Sequence, residues 1–285
     1  MNRRDNRAAR RLTQRLAVIQ DISGLGRCSL AAALPVLSVM GAQCCPVPTA
    51  VFTNQTGFPR FASLDCEPLL KEFPALWKEH GVTLDGIYTG FMSTPAQLEA
   101  AQAFINAFRT RGSLLLVDPV MGDDGARYPC FDAAFCAAMR DFAARADVIT
   151  PNVTEACLLT NTPYDIFQRG SDQEQQAALR HICAQLPAKT IVVTGWRAGN
   201  AVRVTAWQGG AFTVYESPAV EGSWSGTGDL FASALCGGLL RGDSLDESLR
   251  RAVRFLEACL ADAARLACPK EHGVPFEQRL KELMS

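Results

Sequence analysis

Four short polar segments carry the residue types that anion and metal chemistry need. Ser225-Gly226-Thr227-Gly228-Asp229 stands just before the apolar run Leu230–Leu240. Glycines let successive backbone N–H groups converge, and a helix N-terminus adds partial positive charge, so this segment reads as an anion cradle. Asp229 has two readings: it caps the helix that follows, or it takes a proton from a hydroxyl attacking a cradled phosphate. Asp118-Pro119-Val120-Met121-Gly122-Asp123-Asp124 holds three acids within seven positions. Such clusters suit Mg²⁺, which takes oxygen ligands and keeps several waters, and they also make ordinary solvated turns. Thr150-Pro151-Asn152-Val153-Thr154-Glu155 offers either further oxygen donors or a capping box between Asn152 and Glu155. Asp21, which opens the turn Asp21–Gly26, is either a ligand-facing acid or the cap of that turn.

These residues need elements to hold them, and the hydrophobic pattern supplies alternating strands and helices. Strands are expected at Leu16–Gln20, Cys44–Phe52, Leu84–Thr89, Leu114–Val117, Val148–Thr150 and Thr190–Thr194. Helices are expected at Cys28–Met40, Leu64–Glu79, Pro95–Arg109, Phe131–Arg145, Val153–Leu159, Gln173–Leu186, Leu230–Leu240 and Leu245–Leu266. Val202–Ala206 and Ala211–Tyr215 flank Trp207-Gln-Gly-Gly210, the signature of a hairpin. Repeated β-α units with continuous apolar strands predict a single α/β domain, a mostly parallel central sheet with helices on both faces. In such sheets ligands bind beyond the carboxyl ends of the strands, where these polar segments fall.

Composition narrows the partners. The chain has 285 residues, 48% hydrophobic and 20% charged, enough for a large core and far from a disordered composition. With 28 basic and 29 acidic residues it has no electrostatic footprint for nucleic acid. No apolar run reaches the roughly 18 residues of a membrane span. The 11 cysteines are scattered without C-x-x-C spacing and the three histidines lie far apart, so zinc sites are not expected. Unframed thiols suit a reducing, cytoplasmic setting and read mostly as small core residues. The first fifteen residues hold six arginines and one acid. They read as a disordered basic tail over residues 1–15, ahead of a domain over 16–285.

The order of the polar segments resembles the ribokinase superfamily and, within it, the pyridoxal (vitamin B6) kinase family. The resemblance runs over nearly the whole chain from Leu16. It rests on Val18-Ile-Gln-Asp21, Phe52-Thr-Asn-Gln-Thr-Gly57, Tyr88-Thr-Gly-Phe91, Asp118-Pro-Val-Met-Gly-Asp123, Thr150-Pro-Asn-Val-Thr-Glu155 and Gly226-Thr-Gly-Asp229. It implies that Asp229 is the catalytic base on a hydroxymethyl group and that Gly226, Thr227 and Gly228 supply the anion hole. Asn152 and Glu155 are implied to serve nucleotide phosphates and Mg²⁺, with Asp123 also near the metal. Asp118, Thr150 and Thr194 match positions that hold a monovalent cation, K⁺ or Na⁺, and Thr194 and Gly195 would touch the nucleotide. Thr56 matches a contact to the pyridine substituents and Phe91 an aromatic wall of the ring pocket; by residue type alone Phe91 is core.

Two positions depart from the family pattern. Relatives commonly carry serine where Asp21 stands and histidine where Gln55 stands; both positions face the vitamin, so substrate preference is what they affect. Asp21-Ile-Ser-Gly-Leu-Gly26 leans toward the hydroxymethylpyrimidine kinases of thiamine synthesis. Cys130 falls where a flap is expected, and some cousins use a flap cysteine on the substrate aldehyde. The implied activity is ATP-dependent phosphorylation of the 5′-hydroxymethyl group of pyridoxal, pyridoxamine or pyridoxine by a homodimer. The rivals are a hydroxymethylpyrimidine (phosphate) kinase and a non-catalytic B6-binding protein. Asp229 and Gly226–Gly228 argue against the last, because a pure binder needs no base.

Overall fold

The computed structural model describes residues 13–284. The expected basic tail therefore lies outside the described residues up to position 12, while Gln14 and Arg15, assigned to it, are the first residues of a strand. In chain order the elements are β1 (Gln14–Ser23), α1 (Ser29–Val39), β2 (Ala42–Phe52), β3 (Ser63–Asp65), α2 (Glu67–Glu79), β4 (Gly86–Thr89), α3 (Pro95–Phe108) and β5 (Leu114–Val117). A small hairpin follows, β6 (Gly122–Asp123) and β7 (Ala126–Arg127), then α4 (Ala133–Ala143), β8 (Val148–Ile149), α5 (Val153–Thr160), α6 (Asp165–Arg169) and α7 (Asp172–Gln185). The chain continues through β9 (Thr190–Ala198), β10 (Ala201–Gln208), β11 (Ala211–Pro218), α8 (Thr227–Arg241) and α9 (Leu245–Arg265), with 3₁₀ turns at Lys270–His272 and Glu277–Leu283.

The sheet runs β11-β10-β9-β8-β5-β4-β1-β2-β3. The strands from β9 to β2 pair in parallel, and β3, β10 and β11 add antiparallel edges. Burial on both faces explains why the inner strands read as unbroken apolar runs. Along β1 the side chains alternate between two cores. Leu16 and Val18 pack with α1, α8 and α9, while Ala17 and Ile19 face the layer of α2, α3, α4, α5 and α7. From β1 the chain first adds β2 on one side, then β4, β5, β8 and β9 on the other. That reversal opens a crevice between the ends of β1 and β4, the place where open α/β sheets bind ligands.

Differences from the sequence reading are local. The helix expected from Leu64 begins at Glu67, because Ser63–Asp65 pairs with β2 as an edge strand and Pro68 takes the first helical turn. The expected turn from Asp21 begins later, since β1 continues to Ser23 across a register shift between Gln20 and Ile22. The Gly209-Gly210 hairpin forms as expected, with φ of +56° and +84°. The eleven cysteines are free, and Cys130 alone is exposed. Among the described residues no helix is long and apolar enough to cross a membrane.

Candidate active site

Gly226 is the N-cap of α8, and its φ of +81° lies in the left-handed region. A β-carbon there would sit 1.8 Å from the carbonyl oxygen of Arg27, so only glycine lets this turn reach the segment before α1. Thr227 and Gly228 follow in the first turn, whose backbone N–H groups lack intrahelical partners. Nothing lies within 4 Å of a β-carbon built on Gly228, so the cradle is open on that side. Asp229 is the third helical residue, in the first turn of α8, while Gly226 holds the N-cap position. Half-buried, its carboxyl is held above the ordinary range by burial, while the backbone N–H of Ser29 acts in the opposite sense.

Asp21 is 4% exposed and lies at the irregularity in β1. It accepts hydrogen bonds from Ser29 Oγ at 2.6 Å and Ser23 Oγ at 3.4 Å. Burial first, and then the charge of Asp229 against the pull of Ser29, raises its pKa to about 6. Asp118, just past β5, accepts from Thr150 Oγ1 at 3.0 Å. Burial and the charge of Asp229 push its carboxyl well up. Asp21, Asp118 and Asp229 are thus electrostatic neighbours brought together by β1, β5 and α8.

The capping box at α5 is present: Asn152 Oδ1 accepts from Glu155 N–H at 2.9 Å, and Glu155 Oε2 from Asn152 N–H at 2.8 Å. The other Glu155 oxygen accepts from Met121 N–H at 3.0 Å, and Asn152 Nδ2 donates to Gly122 O at 2.8 Å. This fastens the start of α5 to the β6–β7 hairpin. Burial, with the charge of Asp118 added, holds Glu155 far above the usual carboxylate range. Asp123 is exposed on β6, beside the turn at Asp124 and Gly125. Thr194 lies beside Asn152 in a parallel bridge and its N–H donates to Pro151 O at 3.0 Å, so Thr150–Asn152 and Thr194-Gly195 share one strand-end ledge. Gly195 has φ of +79° with open space around it.

Among the described residues no three carboxylate, imidazole or thiol groups converge tightly enough to hold a metal alone. The site nevertheless concentrates buried carboxylates that raise one another's pKa. A cation completed by phosphate oxygens and water fits that donor set, which is how Mg²⁺ usually binds.

On the other side of the crevice, Phe91 follows β4 within a chain of aromatic rings. It lies 6.3 Å from Phe52 and 6.0 Å from Phe131. Thr56 is exposed on the loop after β2. Gln55 has a structural post: its Oε1 accepts from Gly57 N–H at 2.7 Å and its Nε2 donates to Glu271 O at 2.9 Å. Partial desolvation shifts the thiol of the exposed Cys130 upward. The turn Lys270–His272 ties three loops together: Ser225 N–H donates to Lys270 O, Gln55 to Glu271 O, and Arg27 N–H to His272 O.

Sequence reasoning missed Ser29, Tyr128 and this C-terminal turn. Tyr128 follows the β6–β7 hairpin, where burial and the charges of Glu155, Asp123, Asp229 and Asp118 hold its phenol above its ordinary range. Its signal was an aromatic side chain just after the acidic segment.

A sequence model described as phosphomethylpyrimidine kinase matches residues 27–274. The chain belongs to the phosphomethylpyrimidine kinase family. Its relatives within this family type include the pyridoxine/pyridoxal/pyridoxamine kinase of Bordetella bronchiseptica, 32% identical over 248 residues, 82% of this chain and 84% of that one. The thiamine biosynthesis bifunctional protein ThiED of Geobacter sulfurreducens is 30% identical over 195 residues. That match takes in 67% of this chain but 37% of the bifunctional protein. A Bacteroides thetaiotaomicron protein, provisionally described as a phosphomethylpyrimidine kinase, has the same fold with a TM-score of 0.91 at 34% identity, over 98% of this chain and 96% of that one. Another crystal form of that protein, with pyridoxal, gives a TM-score of 0.86. The ribokinase-like resemblance and the α/β architecture both stand, and the chain is a kinase of the pyridoxal/hydroxymethylpyrimidine type.

Proposed function

We propose that this family member is an ATP- and Mg²⁺-dependent kinase that phosphorylates the 5′-hydroxymethyl group of pyridoxal, pyridoxamine or pyridoxine. The observation that carries the chemistry is that Asp229 directly follows the open glycine cradle, in the first turn of α8, with Asp21 of β1 and Asp118 after β5 as its electrostatic neighbours. The B6 choice is supported by the 34%-identical Bacteroides protein crystallised with pyridoxal and by the Bordetella kinase.

Asp229 takes the proton of the hydroxymethyl group as its oxygen forms a bond to the γ-phosphorus. The bond from that phosphorus to the β–γ bridging oxygen breaks, and ADP leaves with its electron pair. Thr227 and Gly228 offer backbone N–H groups to the transferring phosphoryl oxygens, the kind of fixed dipole that stabilises developing charge. Phe91 stacks or edges against the ring, and Thr56 and Asp21 read its substituents. Asn152, Thr194 and Gly195 flank the nucleotide on the β8–β9 ledge. Mg²⁺, when bound, neutralises phosphate charge beside Asp123 and Glu155. Asp118, Thr150 and Thr194 would hold a monovalent cation, K⁺ or Na⁺. The working form in this reading is a cytoplasmic homodimer.

A second reading, a hydroxymethylpyrimidine (phosphate) kinase, is favoured by the family model's description and by Asp21 in place of serine. Parallel turnover assays with the three vitamers, hydroxymethylpyrimidine and its monophosphate decide between them. ADP release and phosphorylated product with a vitamer support the B6 reading. Product only with the pyrimidines overturns it, and no ADP release with any alcohol overturns both.

A further inference from the structure

Ser29 is the first residue of α1, yet its φ is +47°, in the left-handed region that a residue with a β-carbon rarely adopts. It is 6% exposed, and its hydroxyl donates to Asp21 Oδ1 at 2.6 Å. The backbone leading into it is pressed against the catalytic turn. The carbonyl of Arg27 and Cα of Cys28 lie 1.8 and 3.2 Å from where a β-carbon on Gly226 would be. The N–H of Ser29 itself acts on Asp229, favouring the ionised carboxylate. A strained backbone of this kind persists only where its surroundings over-determine it.

We propose that Ser29 is a positioning residue for Asp229: its hydroxyl, anchored on Asp21, locks the left-handed turn that fits residues 27–29 against Gly226–Asp229 and so sets where the carboxylate points. The proposal rests on the reading of Asp229 as the base. Asp21 then has a second task beside any contact to substrate, since it holds the anchor on which the base's placement depends.

Two substitutions separate backbone setting from general packing. Ser29→Ala removes the anchor but keeps a β-carbon in the left-handed region, so the turn relaxes away from that conformation. Its kcat is expected to fall about ten- to a hundredfold, the scale of a misplaced catalytic group, while KM for ATP stays within about twofold. Ser29→Gly also lacks the anchor but adopts positive φ freely, and should recover kcat to within about threefold of wild type. Wild-type kcat in Ser29→Ala overturns the proposal, and so does a Ser29→Gly variant as slow as Ser29→Ala. A KM for ATP that rises in step with the kcat loss overturns it too. Wild type and Asp229→Asn are assayed alongside. If Asp229→Asn turns over normally, or wild type transfers no phosphoryl group, the reading of the base fails and takes the proposal with it. If both controls behave as expected, a failure belongs to Ser29 alone.

Discussion

The hydroxyl of Thr150 donates a 3.0 Å hydrogen bond to Asp118 across the carboxyl ends of the neighbouring strands β8 and β5. Burial and the charge of Asp229 push the Asp118 carboxyl up, so the pair is a polar site where added positive charge relieves repulsion. Turnover of the wild-type protein is expected to rise on the order of tenfold with K⁺ or Na⁺, the equivalent of about 1.4 kcal/mol. Asp118→Asn should flatten that response in a salt titration at constant ionic strength. An equal response in both proteins would remove Asp118 from the cation site.

Asp229→Asn should bind ATP and fold as before while kcat drops about 10²–10⁴-fold, the usual size of a general-base contribution. Because burial raises the Asp229 carboxyl, its ionised form is disfavoured in the folded state, and the amide should match or exceed wild-type Tm at neutral pH. Near-normal kcat with a lowered Tm would assign Asp229 to the helix and not to the chemistry.

Asp21 links pH to stability. Its pKa rises from 3.8 to about 6, chiefly through burial, so the fold binds this proton more tightly than the unfolded chain does. That contribution is fully present below the unfolded value and is lost as pH rises through about 6. Asp21→Asn should therefore be more stable than wild type at pH 8, by on the order of 2–3 kcal/mol, with the gap narrowing below about pH 6 and closing only as pH falls below 3.8. Denaturant titrations of both proteins across this pH range check this. A gap independent of pH would show that the ionisation of Asp21 carries no such cost.

The two glycines of the cradle should respond differently to alanine. Gly226→Ala meets the Arg27 carbonyl and a left-handed backbone at once, and should lose at least about 1–3 kcal/mol of stability. A methyl group on Gly228 meets open space, so Tm should barely change. The same methyl group narrows the phosphate cradle, and kcat should fall about tenfold or more. Equal activity in Gly228→Ala and wild type would place the transferring phosphate elsewhere.

Much of this architecture was legible because the inner strands are buried on both faces and write themselves as apolar runs between helical patterns. The Asn152–Glu155 box was legible for a similar reason, since its spacing is itself the geometry. Leu64 misled: its apolar side chain extends the helical pattern of α2 backwards, yet it sits 67% exposed on an edge strand. The β6–β7 hairpin was invisible because two-residue strands have no period to detect. The left-handed backbone of Ser29 was invisible for another reason: its type carries no mark of positive φ. The hydrogen bond of Gln55 to Glu271 was invisible because that partner is known only once distant parts of the chain have met.

The turn at Lys270–His272 accepts hydrogen bonds from the loops carrying Arg27, Gln55 and Ser225. On the ribosome these loops emerge long before the residues that fasten them. Until residues 270–272 have emerged and docked, the chain has three loose loops where the finished protein has one frame. Birth of activity should lag birth of the sheet, and the delay is set by translation of the C-terminal stretch.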